Sequence, residues 1–379
     1  MTDGPIRVLR IIARMNVGGP AWQTSVLTRG LPDHGIETRL VVGTVGPGEE
    51  DFVSLRDPDL PLVTVPGLGR SVRLFGDIRA LASLVAEIRR YRPHVVHTHT
   101  AKAGVLGRLA AVLAGVPVRV HTFHGHLLRG YFPPLLTRLV VLVERALARR
   151  TTIVVAVGER VRDEVLAAGI GRPDRMVAIA PGVAEPPAVD RSTVRASLGI
   201  PSDVPVALFI GRLTPIKRVD RLLAAFAEVL EGVPDAVLVV AGEGDRLDGL
   251  VAEAADLGDA VRFIGWQADV HRLYAMADVV VIASDNEGMP VTLIEAAMVG
   301  VPAVTTDVGS AAEVVEDGVT GRVVPPDARS LAAGLVDVLA DGDRRAEMGR
   351  AARDRARLSF GASRLVSDHV VLYRRLLGR

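Results

Sequence analysis

Short runs of Val, Ile and Leu alternate along the chain with longer segments in which apolar residues recur every three or four positions. The short runs are mostly apolar without alternation, which is typical of parallel strands covered on both faces, and the longer pattern predicts helices. In the first half the predicted strands are residues 6–14, 38–44, 95–98, 118–123 and 152–157. The predicted helices are residues 21–31, 76–92, 103–114, 134–149 and 159–168.

The same pattern restarts in the second half of the chain. Its predicted strands are residues 204–210, 236–240, 261–264, 279–282 and 303–305. Its predicted helices are residues 219–231, 245–256, 269–276, 291–299 and 330–339. Strands that alternate with helices predict an α/β fold with two doubly wound, Rossmann-like domains. Because open parallel sheets bind ligands at the carboxyl ends of their strands, we expect a site in a cleft that the two domains face.

Proline and glycine divide the chain. Pro181, Gly182, Pro186 and Pro187 interrupt a stretch with little apolar periodicity, which predicts a linker over residues 182–199. The predicted domains are residues 1–181 and 200–342. Residues 343–379 are predicted to be helical and to have no strand of their own. We therefore expect these C-terminal helices to pack back toward the first domain.

The composition excludes several classes of protein. The chain has 379 residues and no cysteine, so a disulfide scaffold, a cysteine-ligated metal and a thiol nucleophile are all excluded. Mean hydropathy is +0.31, yet no apolar stretch reaches the roughly 18–20 residues that a membrane-spanning helix needs. The N-terminus lacks the basic segment and apolar core of a signal peptide. We therefore expect a cytoplasmic protein, or one peripheral on the inner face of the membrane.

Two nucleotide-binding motifs are missing from the sequence. No Gly-x-Gly-x-x-Gly follows a predicted strand, and no Gly-x-x-x-x-Gly-Lys-Ser/Thr occurs, which argues against a nicotinamide dehydrogenase and a P-loop NTPase. A formal net charge of +1 predicts no nucleic-acid partner.

The strongest chemical signal follows the predicted strand 279–282. Glu287 and Gly288 lie in a short loop, Pro290 stands where a helix should start, and Glu295 falls within that helix. The free N–H groups at a helix start form an anion site, and glycine lets a phosphate approach the backbone. Two carboxylates beside an anion site suit sugar or ribose hydroxyls, because a carboxylate accepts strong hydrogen bonds from a diol.

Other predicted strands of the second half also end in candidate ligand-binding residues. Arg212 and Lys217 follow the strand 204–210, where two cations could neutralise a diphosphate without a metal. Trp266 follows the strand 261–264 and could flank a nucleobase, although core packing is the alternative. Gly242 follows the strand 236–240 and could permit a close approach of the ligand.

In the first half, the candidate residues are glycines and histidines. Gly18 and Gly19 form a glycine loop after the first strand, which tolerates an anion or serves as a plain turn. Two pairs of histidines end neighbouring strands, and residues two apart on a strand point to the same side. The pairs are His97 with His99, and His124 with His126. A metal site is one interpretation, but no carboxylate is interleaved, and we expect no metal.

These motifs, in this order and spacing, resemble family 4 of the retaining glycosyltransferases, which have the GT-B fold. The resemblance covers nearly the whole chain. It implies that Glu287 contacts the donor sugar, that Glu295 contacts the ribose, and that Arg212 and Lys217 hold the donor diphosphate. It further implies that the backbone of Gly288, Met289 and Val291 approaches the phosphate and the sugar. The Gly18–Gly19 loop resembles the family's glycine loop, which faces the donor phosphates, and Gly242 and Trp266 complete the predicted donor contacts.

The resemblance also assigns residues in the first half. His124 matches the histidine that approaches the donor sugar, so the predicted catalytic residues are His124, Glu287, Arg212 and Lys217. His99, Lys102 and His126 are the predicted acceptor-binding residues, and Lys102 is expected to bind an acceptor phosphate. Gln23 stands close to the glycines, where many members of the family have a glutamate.

The resemblance predicts a retaining, metal-independent transfer of a sugar from a UDP- or GDP-linked donor, without another cofactor. The expected acceptor is a lipid-linked or surface-polysaccharide precursor. The alternatives are a glycosyltransferase acting on a soluble natural product, a sugar-nucleotide 2-epimerase of the same architecture, and a non-catalytic nucleotide-sugar-binding scaffold. A sugar phosphorylase is a further alternative, but it would need a lysine-bound pyridoxal cofactor, whose absorbance would reveal it.

The near-zero net charge conceals an asymmetry between the halves. Residues 1–181 contain 24 Lys and Arg residues against 15 Asp and Glu, whereas residues 182–379 contain 21 against 29. On the apolar segment 127–150, Arg138, Arg145 and Arg149 share one helical face, and Arg129 and Arg150 add to the charge. A solvated face is one explanation. The alternative, an anionic membrane surface near the first domain, agrees with a phosphorylated lipid acceptor.

Overall fold

The computed structural model describes residues 4–46, 48–69, 71–125 and 133–379. The chain divides into two compact units. The first comprises Met1–Val183 together with Ala362–Arg379, and the second comprises Ala184–Gly361.

The first unit is a parallel sheet with helices between its strands. The strands are β1 (Ile6–Ile12), β2 (Ile36–Val42), β3 (Leu62–Thr64), β4 (Val95–His99), β5 (Val118–Phe123), β6 (Ile153–Ala156) and β7 (Met176–Ala178), and their order in the sheet is β3-β2-β1-β4-β5-β6-β7. The helices are α1 (Gly19–Gly30), α2 (Phe52–Arg56), α3 (Leu74–Tyr91), α4 (Ala101–Leu113), α5 (Pro134–Ala148) and α6 (Glu159–Ala167). The register of β4 against β1 pairs Arg10 with His97 and Ile12 with His99, so these side chains share one face.

The second unit repeats this architecture. Its strands are β8 (Val206–Ile210), β9 (Val237–Ala241), β10 (Val261–Gly265), β11 (Val279–Ile282), β12 (Ala303–Thr306) and β13 (Gly321–Val324), in the order β10-β9-β8-β11-β12-β13. Its helices are α7 (Arg191–Ser197), α8 (Val219–Gly232), α9 (Leu247–Glu253), α10 (His271–Met276), α11 (Val291–Met298), α12 (Ala311–Val314), α13 (Ala328–Leu339) and α14 (Gly342–Ser359). Each predicted strand overlaps an observed one, and the two parallel sheets confirm the predicted fold class.

The observed boundaries differ from the predicted domains at two places. The predicted linker 182–199 contains α7, which belongs to the second unit because the buried Arg195 donates to Asp278 Oδ2 at 2.7 Å. The predicted C-terminal segment 343–379 is divided: α14 belongs to the second unit, whereas α15 (Ala362–Leu377) belongs to the first. Apolar burial explains why α15 belongs to the first unit, since its Leu365 and Tyr373 are 0% exposed in the core that also contains Val8.

Within the described ranges, no helix combines the length and the apolar character that spanning a bilayer requires.

Candidate active site

The loops of the second unit meet at the carboxyl end of its sheet, where open parallel sheets bind ligands. Backbone hydrogen bonds join them, because Gly211 N donates to Ala241 O at 3.0 Å and Gly242 N donates to Gly265 O at 2.8 Å. A Cβ atom on Gly242 would lie 1.9 Å from Gly211 O, so glycine is needed for the loops to approach so closely. Gly242 thus has a packing function at this edge of the sheet.

The predicted catalytic residues Lys217 and Glu287 are in direct contact. Lys217 ends a short 3-10 turn after β8, and its Nζ donates to Glu287 Oε1 at 2.5 Å. Ser284 Oγ donates to the same oxygen at 2.6 Å. Because β8 and β11 are neighbours in the sheet, the loops that carry these residues emerge side by side. The result is a fixed pair of opposite charges, with the carboxylate side chain only 10% exposed.

Asp285, which the sequence pattern does not single out, holds these two loops together. Its backbone N donates to Ile216 O at 3.0 Å, and its carboxylate accepts from Arg218 Nη1 at 3.0 Å. Ile216 and Arg218 flank Lys217 in the chain. The contacts of Asp285 therefore fix the lysine in front of Glu287.

Arg212 lies in the loop after β8 and its side chain is exposed. In the part of the chain that the structure describes, no ion pair or side-chain hydrogen bond engages its guanidinium. A guanidinium of this kind can bind a phosphate through two parallel N–H groups. Arg212 and Lys217 thus bring two cations into one loop, one of them accessible from solvent.

Helix α11 begins at Val291, and Pro290 is its cap rather than a residue of its first turn, with φ −69° and ψ 114°. The helix dipole and the unpaired N–H groups of the first turn favour an anion at this end. Met289 is 6% exposed, and Gly288 and Val291 are half-buried. The residues at the helix start are therefore packed against the unit, and Gly288 lies in the loop that leads into the helix.

Gly309 is a second residue that the sequence pattern does not single out. It has φ +50°, and a Cβ atom there would lie 1.9 Å from Glu287 O. The next residue, Ser310, donates its backbone N–H to Gly288 O at 2.8 Å. The loop after β12 thus supports the peptide that joins Glu287 to Gly288.

Replacing Gly309 with alanine is expected to lower kcat/KM by on the order of 100-fold, because misplacing a site by about 1 Å has an effect of that size. Gly318→Ala is the matched control, since Gly318 has φ +75° and a Cβ atom there would meet nothing within 4 Å. Both variants carry backbone strain of about 1 kcal/mol, but only Gly309→Ala should displace the Glu287 peptide. Steady-state kinetics and urea unfolding measure the two effects. Equal kinetic losses in the two variants would contradict this function of Gly309.

Glu295 and Trp266 lie on the same unit as the Lys217–Glu287 pair. Glu295 falls in the second turn of α11, where Tyr274 Oη donates to its Oε2 at 2.6 Å. Trp266 directly follows β10 and is half-buried, and its backbone N donates to Glu243 Oε1 at 3.5 Å. Glu295 thus lies on the helix that starts beyond Glu287, and Trp266 lies in the loop after β10; their contacts with a nucleoside stay predictions.

The glycine loop of the first unit connects β1 to α1. Gly18 is exposed, Gly19 is half-buried, and Trp22 N donates to Gly18 O at 3.1 Å in the first turn of α1. The loop is held from one side by Val17 N, which donates to Glu50 O at 3.0 Å. Gln23 is 1% exposed, and its amide has no hydrogen-bond partner among the described residues.

Three of the four predicted histidines, His97, His99 and His124, lie together in the first unit. His97 and His99 stack with ring centroids 4.4 Å apart, and His99 Nδ1 lies 3.0 Å from His124 Nε2. A further imidazole, which the sequence pattern does not single out, comes from α15, where His369 stacks on His97 at 5.7 Å. His126 lies outside the described residues. Among those described, no group of three or more His, Asp or Glu side chains is arranged to hold a metal.

Burial keeps these imidazoles neutral. It holds the pKa of His97 and of His99 well below 6.5, and it lowers the pKa of His124 to about 3. The neighbouring Arg10 guanidinium is also buried, which lowers its pKa to about 10. His124 therefore acts at neutral pH as an uncharged hydrogen-bonding group.

Lys102 is engaged by its own unit. Its Nζ donates to Ser71 O at 2.5 Å and to Gly67 O at 3.1 Å, and it pairs with Asp77 Oδ1 at 2.6 Å. Two of the three ammonium donors are thus bonded to carbonyl oxygens, and Asp77 balances the charge. In this conformation Lys102 holds the loop before α3, and its contact with an acceptor phosphate stays a prediction.

Comparison with known proteins gives the same class for both halves of the chain. Residues 18–182 match the model for the glycosyl transferase 4-like domain, and residues 190–355 match the model for glycosyl transferases group 1. D-inositol 3-phosphate glycosyltransferase of Kineococcus radiotolerans is 33% identical over 77% of this chain and 74% of its own. UDP-Gal:alpha-D-GlcNAc-diphosphoundecaprenol alpha-1,3-galactosyltransferase of Escherichia coli is 28% identical over 73% of each chain.

The fold is shared with solved structures. Sucrose-phosphate synthase from Thermosynechococcus elongatus superposes with a TM-score of 0.85 at 22% identity, over 98% of this chain and 99% of its own. The fold and the matches define a glycosyltransferase of the GT-B class. The chain belongs to the family 4 glycosyltransferases, as the resemblance predicted.

Proposed function

We propose that the enzyme transfers a sugar from a UDP- or GDP-linked donor to a hydroxyl group of a lipid-linked precursor, with retention of configuration and without a metal. The observation that carries this proposal is the Lys217–Glu287 contact beside the start of α11. Lys217, the exposed Arg212 and the helix start supply the positive charge that a departing diphosphate needs. In many sugar and phosphate transfers a metal ion supplies that charge.

The two carboxylates are better suited to bind hydroxyls than to attack the sugar. Glu287 is held by Lys217 and Ser284, and Glu295 accepts a hydrogen bond from Tyr274. In same-face transfer, the bond from C1 to the phosphate oxygen breaks while the acceptor oxygen bonds to C1. The acceptor proton passes to the leaving phosphate oxygen, so no carboxylate nucleophile is required.

The names of the relatives suggest two kinds of acceptor. The Escherichia coli relative is named for a diphosphoundecaprenol substrate, which favours a lipid-linked acceptor and a UDP-linked donor. The Kineococcus relative is named for D-inositol 3-phosphate, which favours a soluble phosphorylated acceptor as the second candidate.

The test is a panel of UDP- and GDP-linked hexoses in which released nucleoside diphosphate is measured. Each donor is incubated with a membrane lipid extract, with D-inositol 3-phosphate, and with no acceptor. We expect release with the lipid extract, unchanged by EDTA, and a product with the anomeric configuration of the donor by NMR. Release of nucleoside diphosphate with D-inositol 3-phosphate but not with the lipid extract would favour the soluble acceptor. Epimerisation of the donor sugar in the incubation without acceptor would contradict sugar transfer. Loss of activity in EDTA would contradict metal independence.

The surface of helix α5 supports a lipid-linked acceptor, because it suits binding to a membrane. Its leucines remain on the surface, with Leu135 78%, Leu139 56% and Leu142 59% exposed. Arg138 and Arg145 are exposed on the adjoining stripe of the same helix. Apolar and basic side chains side by side on one exposed helix face are typical of binding to an anionic membrane surface.

Replacing Leu139 and Leu142 together with serine is expected to weaken binding to anionic vesicles at least about tenfold, since each buried leucine contributes about 1.5–3 kcal/mol. Leu358→Ser is the control, because Leu358 is 81% exposed on α14 of the second unit. Vesicle sedimentation with phosphatidylglycerol and with phosphatidylcholine measures both variants. Equal binding to the two lipids, or an equal loss in the control, would contradict an anionic membrane surface at α5.

A further inference from the structure

His99 is a buried partner of the predicted catalytic histidine. It ends β4 with 0% exposure, and its Nδ1 lies 3.0 Å from Nε2 of His124. On its other side the ring stacks on His97, at 4.4 Å between centroids and 25° between planes. His97 is itself fixed at both nitrogens, by Tyr373 Oη at 2.6 Å and Thr122 Oγ1 at 2.7 Å. His99 is therefore held in place against His124.

The contact between the two imidazoles contains a single hydrogen, because both rings are neutral. Either His99 donates from Nδ1, or His124 donates from Nε2. The second nitrogen of His99, Nε2, is buried and has no partner in the described ranges. If His99 accepted at Nδ1, its proton would lie on Nε2 as a buried N–H without an acceptor.

A buried N–H without a partner is rarer in proteins than an unfilled acceptor. His99 consequently donates from Nδ1, and its Nε2 carries only a lone pair. His124 accepts at Nε2, which places its own proton on Nδ1.

We propose that His99 is a positioning residue that fixes His124 as the Nδ1–H tautomer, so that His124 serves sugar transfer as a neutral hydrogen-bond donor. This inference rests on the proposed sugar transfer and on the contact of His124 with the donor sugar that the family resemblance implies. A donor at Nδ1 would bind a sugar hydroxyl or phosphate oxygen, whereas the other tautomer would offer only an acceptor there. His99 is 0% exposed, so it acts through His124 and not through the contact with the acceptor that the sequence predicts.

The surroundings of His124 disfavour its cationic form. The titratable and charged groups around this cluster are Arg10 on β1, His97 and His99 on β4, His121 on β5, and His369 and Tyr373 on α15. Arg10 disfavours a proton on His97 and His99, and the Asp368 carboxylate favours one on His369. For His124 itself, burial and then the neighbouring His369 lower the pKa, so its cationic form is disfavoured.

Two substitutions of equal shape distinguish the tautomers. Asparagine at position 99 places an amide N–H near the former Nδ1, whereas aspartate places only an acceptor there. We expect His99→Asn to keep kcat within about threefold of the wild type. We expect His99→Asp to lower kcat about tenfold or more at pH 8 with little change in donor KM.

The pH profile adds a second readout. In His99→Asp, His124 gains a Nδ1–H donor again when it is protonated, so activity should rise as the pH is lowered. His99→Asn should show the wild-type profile. Equal kcat values and equal pH profiles in the two variants would overturn the inference.

A spectroscopic measurement on the wild-type enzyme keeps the test independent of folding and of activity. In protein labelled with ¹⁵N-histidine, the His124 signals are identified by their loss in His124→Gln. We expect the nitrogen shifts of the Nδ1–H tautomer, retained in His99→Asn. The shifts of the Nε2–H tautomer would overturn the inference, even if transfer is confirmed. Absence of transfer in the donor panel would instead refute the proposed function and leave the tautomer to be decided by NMR.

Discussion

Replacing Lys217 with alanine is expected to lower kcat/KM for the nucleotide-sugar donor about 100- to 1,000-fold. Negative charge grows on the diphosphate as the sugar departs, so a nearby ammonium stabilises the transition state more than the bound donor. Most of the loss should therefore be in kcat. The substitution also removes the partner that lies 2.5 Å from Glu287 Oε1.

Arg246→Ala provides the control for this prediction. Arg246 forms an exposed ion pair with Glu253 in the same unit, at 3.2 Å, and exposed pairs of this kind contribute little. Its kcat/KM should stay within about threefold of the wild type. A loss in Lys217→Ala that fell entirely on donor KM would contradict a function in leaving-group stabilisation.

A double-mutant cycle with Glu287→Gln separates two functions of Lys217. If the lysine only orients Glu287, the double variant should be no slower than Glu287→Gln. If it also stabilises the diphosphate, the double variant should lose about a further tenfold or more. We expect the second result, because the adjacent α11 start favours the same anion.

The two sheets can be predicted because most of their strands are continuous apolar runs rich in Val and Ile. Strands β3, β7 and β13 are not predicted: β3 and β7 contain only three residues, and β13 begins with Gly321 and Arg322, which leaves only two apolar residues. Helix α7 is not predicted either. Its place in the second unit depends on the bond between Arg195 and Asp278. These residues lie 83 positions apart, so the sequence around α7 does not indicate that they pair.

The candidate site can be predicted residue by residue but not as a set of contacts. The sequence places Lys217 and Glu287 after two strands, and only the strand order, with β8 beside β11, brings them together. Asp285 and Gly309 support this pair through backbone contacts, for which a sequence has no local signature. The same limit applies to the histidine cluster, where Tyr373 bonds to His97 from 276 residues away.

Acidification is expected to destabilise the protein through these same histidines. Burial lowers the pKa of His369 to about 4 and that of His124 to about 3, from an ordinary value of 6.5. Below pH 6.5 the unfolded chain binds protons that the folded chain does not, so the free energy of unfolding falls as the pH falls. Each such histidine contributes about 1 kcal/mol per pH unit in that window.

The effect is large compared with the usual stability of a protein. From pH 6.5 to 4, His369 alone removes about 3 kcal/mol, out of a typical total of about 5–15 kcal/mol. Burial also holds the pKa of His97, His99 and His121 well below 6.5, and these groups act in the same direction. We therefore expect the first unit, including α15, to unfold steeply as the pH approaches about 5.

His369→Leu tests the origin of this pH dependence. Its Nδ1 contacts only Leu365 O of its own helix, at 2.9 Å, and its Nε2 has no partner among the described residues, so leucine leaves no distant group unpaired. The slope of unfolding free energy against pH between 6.5 and 4 should decrease by about 1 kcal/mol per unit. Val371→Ala is the control, because Val371 is 65% exposed on α15 and does not titrate. An unchanged slope in His369→Leu, measured by urea unfolding at each pH, would show that the buried imidazole is not the group whose protonation opens this unit.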